Sequence, residues 1–349
     1  MADTVATPRT AALVLAGAVV KGAFEAGALE VIAARGVTVP RIVAASSGAL
    51  NGAAYAAGVR ARREVDAVRD LVRVWEEEAT LCGTLHPSCR AMLGRRGISD
   101  QESLLRLLRR HVRPCVVPDP APIDFHVMLA TLRGRQGHID GELATTYSEI
   151  QSFTGASFDT REELERVFVA ATASSALPVL FAPVDVPGVG PCTDGGLVNN
   201  TPIGTAFGPD PSDPLGAILV VTPTPALLTT PSPDPRGLQL LAHQLDMVFA
   251  EWLFQDLRRA TCLNEGLVRL DALAARRGWS EEDVEAIKVA LDLGRVRPVP
   301  IVSIRPLEAL PGTIFSGFTD RGVRRAYLQL GRERAAQVLD GLGWGPLTG

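Results

Sequence analysis

Cysteine is scarce in this chain, and what there is follows no pattern. Cys82, Cys89, Cys115, Cys192 and Cys262 are scattered through 349 residues. No CxxC pair occurs, so neither a zinc knuckle nor a thioredoxin-like motif is supported. The odd count and wide spacing point to free, mostly buried thiols in a reducing compartment. Basic excess is missing as well. A formal net charge of -4 and a pI near 5.8 lack the electrostatic footprint of a nucleic-acid binder, so no nucleic acid is expected as a partner. Only five histidines are present, and no His, Cys or carboxylate grouping has recognisable metal-ligand spacing. The chemistry is therefore expected to need no metal and no cofactor.

Membrane-length apolar runs are lacking too. Residues 42–59 are uncharged, but Ser46, Ser47, Asn51 and many small residues argue against a span. Arg9 followed by Ala11–Val20 has the outline of a secretory leader. Asp3 weakens the upstream charge, and the apolar run continues into a loop with functional character, so a retained strand and loop are expected. The expected location is cytoplasmic, with peripheral contact at membrane surfaces left open. Oligomeric state is not legible.

The remaining composition is globular: 46% hydrophobic, 21% charged and 5% aromatic, rich in small residues. No internal repeat or linker stands out. One domain over 1–349 is expected, with a catalytic core at about 10–222, a helical insertion near 60–117, and C-terminal helices plus a late strand at about 236–349. Ala11–Leu15 reads as a buried strand, Gly22–Arg35 as a helix, Ile42–Ala45 as a second strand, and the Ala-rich stretch towards Ala57 as a second helix. That alternation is the grammar of a layered α/β fold with a largely parallel sheet. Further strands are expected at Phe125–Thr131, Val184–Val186, Ala217–Val221 and Ile301–Ile304. Further helices are expected at Glu162–Ala173, Leu238–Asn264, Ser280–Leu293 and after Asp320. Within the insertion, Ser99 and Glu102 fit a capping box, ahead of a stripe of Leu104, Leu105, Leu107 and Leu108. Pro223–Pro235 reads as a surface loop.

Ala44-Ala45-Ser46-Ser47-Gly48 lies one residue from G-x-S-x-G. That pattern places a serine at the apex of a sharp strand-to-helix turn, with its hydroxyl exposed and the helix N-terminus facing developing negative charge. Small-residue turns of this kind are often purely structural. The strand before and the helix after favour a nucleophile, and the spacing to Gly48 selects Ser46 over Ser47. Gly17-Ala18-Val19-Val20-Lys21-Gly22 joins the first strand to the first helix and can offer consecutive backbone N–H groups to an oxyanion. Neither the P-loop nor the G-x-G-x-x-G pattern is met there. Asp194-Gly195-Gly196, followed by Asn199-Asn200-Thr201-Pro202, is a turn cluster. Asp194 either caps that turn or acts as a base on the serine. A triad through His243 has the right chain order. However, His243 sits two residues from both Leu241 and Leu245 in a helix whose stripe continues to Val248 and Trp252. It thus reads as a surface residue on the opposite face. His86, His111, His126 and His138 fall in no motif.

Taken in order, these segments resemble the patatin-like phospholipase family: Leu13–Leu29 its oxyanion loop and first helix, Val43–Gly52 its nucleophile elbow. Ala173–Pro178 with Phe181 and Pro183, the Asp194-Gly195-Gly196 turn with Asn199 and Pro202, and the tail around Ile304–Pro306 and Phe318 are similar too. The resemblance implies a three-layer α/β/α sandwich with a mostly parallel central sheet. It also implies a Ser46–Asp194 dyad without histidine, hydrolysis of lipid or other acyl esters, and an oxyanion hole at Gly17, Ala18 and Val19. Lys21, Gly22, Gly48, Gly195 and Gly196 match the family's supporting positions. The family loop usually carries three glycines, of which Gly17 alone is present here, and Ala44 replaces the first glycine of the elbow. A β-branched residue forced to positive φ costs ~1–3 kcal/mol. Two alternatives to a lipid hydrolase follow: an acyltransferase or thioesterase with a soluble acyl substrate, and a catalytically weak lipid-binding or regulatory protein.

Overall fold

The computed structural model describes residues 9–84, 97–139, 142–207, 215–227, 237–291, 293 and 297–346. Its strands are β1 (Thr10–Leu15), β2 (Thr38–Ala44), β3 (Asp124–Ile139), β4 (Glu142–Phe153), β5 (Val184–Val186), β6 (Gly190–Thr193), β7 (Ala217–Val221) and β8 (Ile301–Ile304). Its first helices are α1 (Gly22–Ala34), α2 (Ser47–Arg60), α3 (Glu64–Arg73), α4 (Leu81–Thr84), α5 (Glu102–His111) and α6 (Arg161–Ser174). Then follow α7 (Ile203–Ala206), α8 (Leu238–Arg277), α9 (Glu281–Ala290) and α10 (Arg321–Gly341).

Alternation along the central strands builds the layers. Ala11, Leu13 and Leu15 of β1 pack into the larger core cluster, whereas Ala12 and Val14 pack into a second one. β7 divides in the same way: Leu219 and Val221 on one face, Ile218 and Val220 on the other. Successive strand residues point to opposite faces, so a strand covered on both sides must be apolar throughout, as these runs are. Phe24 of α1, Ala53 of α2, Val68 of α3, Phe168 of α6 and Tyr327 of α10 close the first face. Ile203 of α7 and Leu253 and Ala260 of α8 close the second. The result is the expected α/β/α sandwich. Where α1 crosses α10, a Cβ on Gly27 would lie 2.0 Å from Leu328 O, and one on Gly331 would lie 2.0 Å from Phe24 O. The two backbones touch there because neither position carries a side chain.

The sheet order is β5-β6-β3-β2-β1-β7-β8, with β4 paired to β3 off that path. β3, β2, β1, β7 and β8 are parallel, while β4, β5 and β6 add antiparallel pairings. β3 is much longer than the expected Phe125–Thr131 and folds back with β4, which was not anticipated. β4 is mostly polar and half-exposed, so it carries no clear apolar alternation. β3 pairs β2 only over Asp124–Val127 and then projects past it.

Several local expectations change. α8 runs to Arg277, well past Asn264, and its buried face includes Ala242, Leu245, Phe249, Leu253, Ala260, Leu267 and Ala274. Val248 lies outside that stripe, being 40% exposed. The side chain of Leu241 lies outside the described set. Ser99 does not cap α5. The N-cap is Gln101, and Asp100 Oδ1 accepts the Glu102 N–H at 3.1 Å, because Ser99 is held in a bridge to Phe181. α9 ends at Ala290, short of Leu293. Cys82, Cys115, Cys192 and Cys262 are free, but only Cys115 and Cys192 are buried. Cys89, His86 and part of the Pro223–Pro235 loop lie outside the described residues. Among the described residues, no helix is long and apolar enough to cross a membrane.

Candidate active site

The elbow is the tightest bend in the site. Ser46 follows β2 and is the N-cap of α2, with φ 52° and ψ -132°. That region costs a non-glycine residue ~1–3 kcal/mol, so its surroundings must over-determine it. They do so through α6. The Ser46 N–H donates to Ser174 Oγ at 2.9 Å, and Ser174 Oγ in turn donates to Met128 O at 2.7 Å. The Ser46 carbonyl accepts from Ser175 Oγ at 2.8 Å and from the Ala49 N–H at 2.9 Å. Ala44 sits in regular strand geometry and needs no glycine. Gly48 packs against Leu15 O, where a Cβ would come within 2.4 Å.

Strand topology delivers the acid. β6 pairs with the projecting part of β3, Ala130 opposite Thr193, and runs back towards the C-terminal edge of β2. Asp194 therefore emerges beside Ser46, and Ser46 Oγ donates to Asp194 Oδ2 at 2.7 Å. Asp194 Oδ1 accepts the Gly196 N–H at 2.8 Å. Gly195 fits because its Cα faces Met128 O, leaving no room for a Cβ. Ser46 is 2% exposed and Asp194 1%. Burial pushes the Asp194 carboxyl up from the ordinary 3.8 to about 7, against the opposing pull of the Ser46 hydroxyl and the Gly196 N–H. His243 is half-buried rather than on the surface, and it donates nothing to Asp194, whose side-chain partners among the described residues are Ser46 and Gly196.

The first loop crosses directly over the serine. A Cβ on Gly17 would lie 2.1 Å from Ser46 Cβ, so only glycine fits. Asn200 clasps this residue from both sides: Gly17 N–H donates to Asn200 Oδ1 at 3.0 Å, and Asn200 Nδ2 donates to Gly17 O at 2.9 Å. Ala18 N–H donates to Ser47 Oγ at 3.0 Å. Of the three loop residues expected at an oxyanion, Gly17 and Ala18 thus already have partners. Val19 N–H has none among the described residues. Val19 also takes the feared conformation, with φ 53°. Lys21 is buried and reaches Asp246 of α8 at 3.5 Å, tying the loop to the second layer.

Sequence reasoning missed Asn200, Ser174, Ser175 and Ser47 as partners, because each acts through a contact remote in sequence. It also missed a buried network behind the loop. Asn51 Nδ2 donates to Gly22 O at 3.0 Å and to Glu25 Oε2 at 2.8 Å, while Asn51 Oδ1 accepts from Trp75 Nε1 at 2.7 Å. Full burial holds the Glu25 carboxyl well above the usual carboxylate range, against the opposing pull of the Asn51 amide.

Ser46 and Asp194 line a cavity of about 680 Å³. Its walls include Val19, Leu50, Trp75, Leu104, Leu177 and Phe181, and charged side chains such as Arg63 and Asp66 line it further away. A polar pair in a mostly apolar cleft of this size is the usual form of a small-ligand site. Among the described residues no His, Cys, Asp and Glu grouping could hold a metal ion. A buried serine bonded to a carboxylate of raised pKa, beneath a loop with a free N–H, can support acyl transfer through a covalent intermediate.

The sequence profile of the Patatin-like phospholipase family matches residues 13–207, more than half of the chain. The protein belongs to that family of lipid acyl hydrolases. Among solved structures it is similar to the crystal structure of VipD from Legionella pneumophila, at 12% identity and a TM-score of 0.40, over 96% of this chain and 67% of that one. No curated protein matches it.

Proposed function

We propose that the protein is a carboxylic ester hydrolase acting on lipid acyl esters, with Ser46 as nucleophile and Asp194 as its base. The observation that carries this reading is the 2.7 Å hydrogen bond from Ser46 Oγ to Asp194 Oδ2, buried at one end of an apolar cleft. Asp194 accepts the hydroxyl proton as Ser46 Oγ bonds to the ester carbonyl carbon. The Val19 N–H and the Ser47 N–H, the latter one of the orphan donors at the start of α2, face the negative charge that forms. Gly17 and Ala18 join them only by giving up their present partners. Collapse breaks the bond to the alcohol, which leaves with the proton from Asp194. Asp194 then takes a proton from water as that water attacks the acyl-serine, and release of the acid returns the proton to Ser46. A base with a pKa of about 7 suits this duty, since a large fraction of it is ionised near neutral pH and it is basic enough to take a proton.

The test is hydrolysis of a short-chain p-nitrophenyl ester by wild type and Ser46→Ala, with fluorophosphonate labelling alongside. Turnover and labelling in wild type, both lost in a folded Ser46→Ala protein, are expected. Unchanged hydrolysis in that variant removes Ser46 from the mechanism.

A further inference from the structure

We propose that one face of α2 carries the acyl chain, with the small side chain of Ala54 admitting long straight chains past it; this rests on the reading of Ser46 as nucleophile. Leu50, Ala54, Ala57 and Ala61 all line the cavity. Steps of four, three and four residues place them on one helical face. That face begins at Ser46, the N-cap of α2, and ends at Ala61, its C-cap. At 1.5 Å per residue, Ala54 lies ~12 Å along the axis from the nucleophile and Ala61 ~22 Å. One leaflet of a bilayer's hydrocarbon core, the reach of a long acyl chain, is ~15 Å.

Beyond Leu50 and Asn51, whose amide is engaged by Glu25 and Trp75, α2 lines the cavity with Ala54, Ala57, Gly58 and Ala61 only, so it leaves room for a chain lying along it. Leu71 of α3 and Leu104 and Leu108 of α5 supply the facing apolar walls. Charged side chains lie on the α3 and α5 sides of the cavity, among them Asp70, Arg73 and Arg110, and just past the α2 C-cap Arg63 and Asp66 pair with each other at 3.3 Å. The small-residue face of α2 therefore extends from the serine to beyond the end of a leaflet-length chain. An unbranched long-chain acyl group, its carbonyl at Ser46 and its methyl end near Ala57, is the ligand this groove takes. Ala54 is then overlain by the chain, while Ala61 lies past its end.

Hydrolysis of p-nitrophenyl esters graded from acetate to stearate by wild type, Ala54→Phe and Ala61→Phe tests this. In Ala54→Phe the long-to-short ratio of kcat/KM is expected to fall at least ~tenfold, because each methylene excluded from an apolar pocket is costly. The fall in Ala61→Phe is expected to be smaller. Equal falls, or a larger one in Ala61→Phe, overturn the proposal. Ala54→Leu gives a smaller effect of the same sign and replaces Phe where Phe disturbs folding. A second readout is displacement of a fluorescent fatty acid from Ser46→Ala protein by fatty acids of graded length. Displacement that strengthens with length, and loses that trend when Ala54→Phe is added, upholds the groove even if no ester is turned over; the hydrolase reading alone then falls. Ester turnover with no chain-length shift in Ala54→Phe overturns the groove and leaves the hydrolase reading standing.

Discussion

Replacing Asp194 with Asn should abolish turnover and, above neutral pH, make the protein more stable. Asn fits the site without a lost partner: its amide oxygen can accept the Gly196 N–H, and its NH₂ can donate to Ser46 Oγ, which accepts as readily as it donates. What disappears is the cost of a buried charge. The folded-state pKa is raised from 3.8 to about 7, so the folded protein holds its proton more tightly than the unfolded chain. Stability from this group is fully present below pH 3.8 and is lost as pH rises through about 7. A rise of that size corresponds to ~4 kcal/mol at alkaline pH, given 1.36 kcal/mol per pKa unit. Urea unfolding of wild type and Asp194→Asn from acid to alkaline pH is the assay. The variant's advantage is expected to be near zero in acid, to grow between about pH 4 and 7, and to level off above at no more than ~4 kcal/mol. A difference that does not vary with pH would refute the raised pKa and, with it, the tuning of Asp194 as a base.

Two further variants probe the loop. Asn200→Ala removes both bonds that hold Gly17 over Ser46 and should lower kcat ~10–100-fold while changing KM less, as expected of lost positioning; steady-state kinetics with near-wild-type kcat would show that Asn200 does not position the loop. Val19→Gly relieves a positive φ worth ~1–3 kcal/mol, which offsets the packing and chain entropy lost. Urea unfolding should then show a change within ~1 kcal/mol, against ~2 kcal/mol or more for a large-to-small change at an unstrained core position; a loss of that larger size refutes the strain.

The central strands and both partners of the Ser46–Asp194 hydrogen bond were legible in the sequence because each is written locally. β1 and β7 are short apolar runs and β2 ends in one, Ile42–Ala44, and an elbow and an Asp-Gly-Gly turn are contiguous motifs. The β3–β4 hairpin was not legible, since a half-exposed polar ribbon has no burial pattern to display. Nor was its consequence, that β6 returns along the projecting part of β3 and so carries Asp194 to Ser46. Ser174, Ser175 and Asn200 act across separations of more than a hundred residues. Nothing near them in the chain distinguishes a serine ending a helix from one fastening a strained turn. The misplaced stripe of α8 has a plainer cause: its apolar residues are numerous enough to fit more than one helical face, and contact with Phe181, Leu177 and Ile314 selects Ala242, Leu245 and Phe249.

The place of β7 in the sheet has a consequence for how the protein is made. β1 pairs with β2 on one side and β7 on the other, and Ala11 lies opposite Ala217. At ~5–20 residues per second, the ribosome needs ~10–40 s to add the roughly 200 residues between these partners. Throughout that interval the most apolar strand of the nascent chain has an unpaired edge, open to pairing with other chains. Stalled nascent chains should therefore gain protease resistance in the β1–α1 region only once β7 has left the exit tunnel; earlier resistance would mean that the N-terminal half closes its sheet by itself.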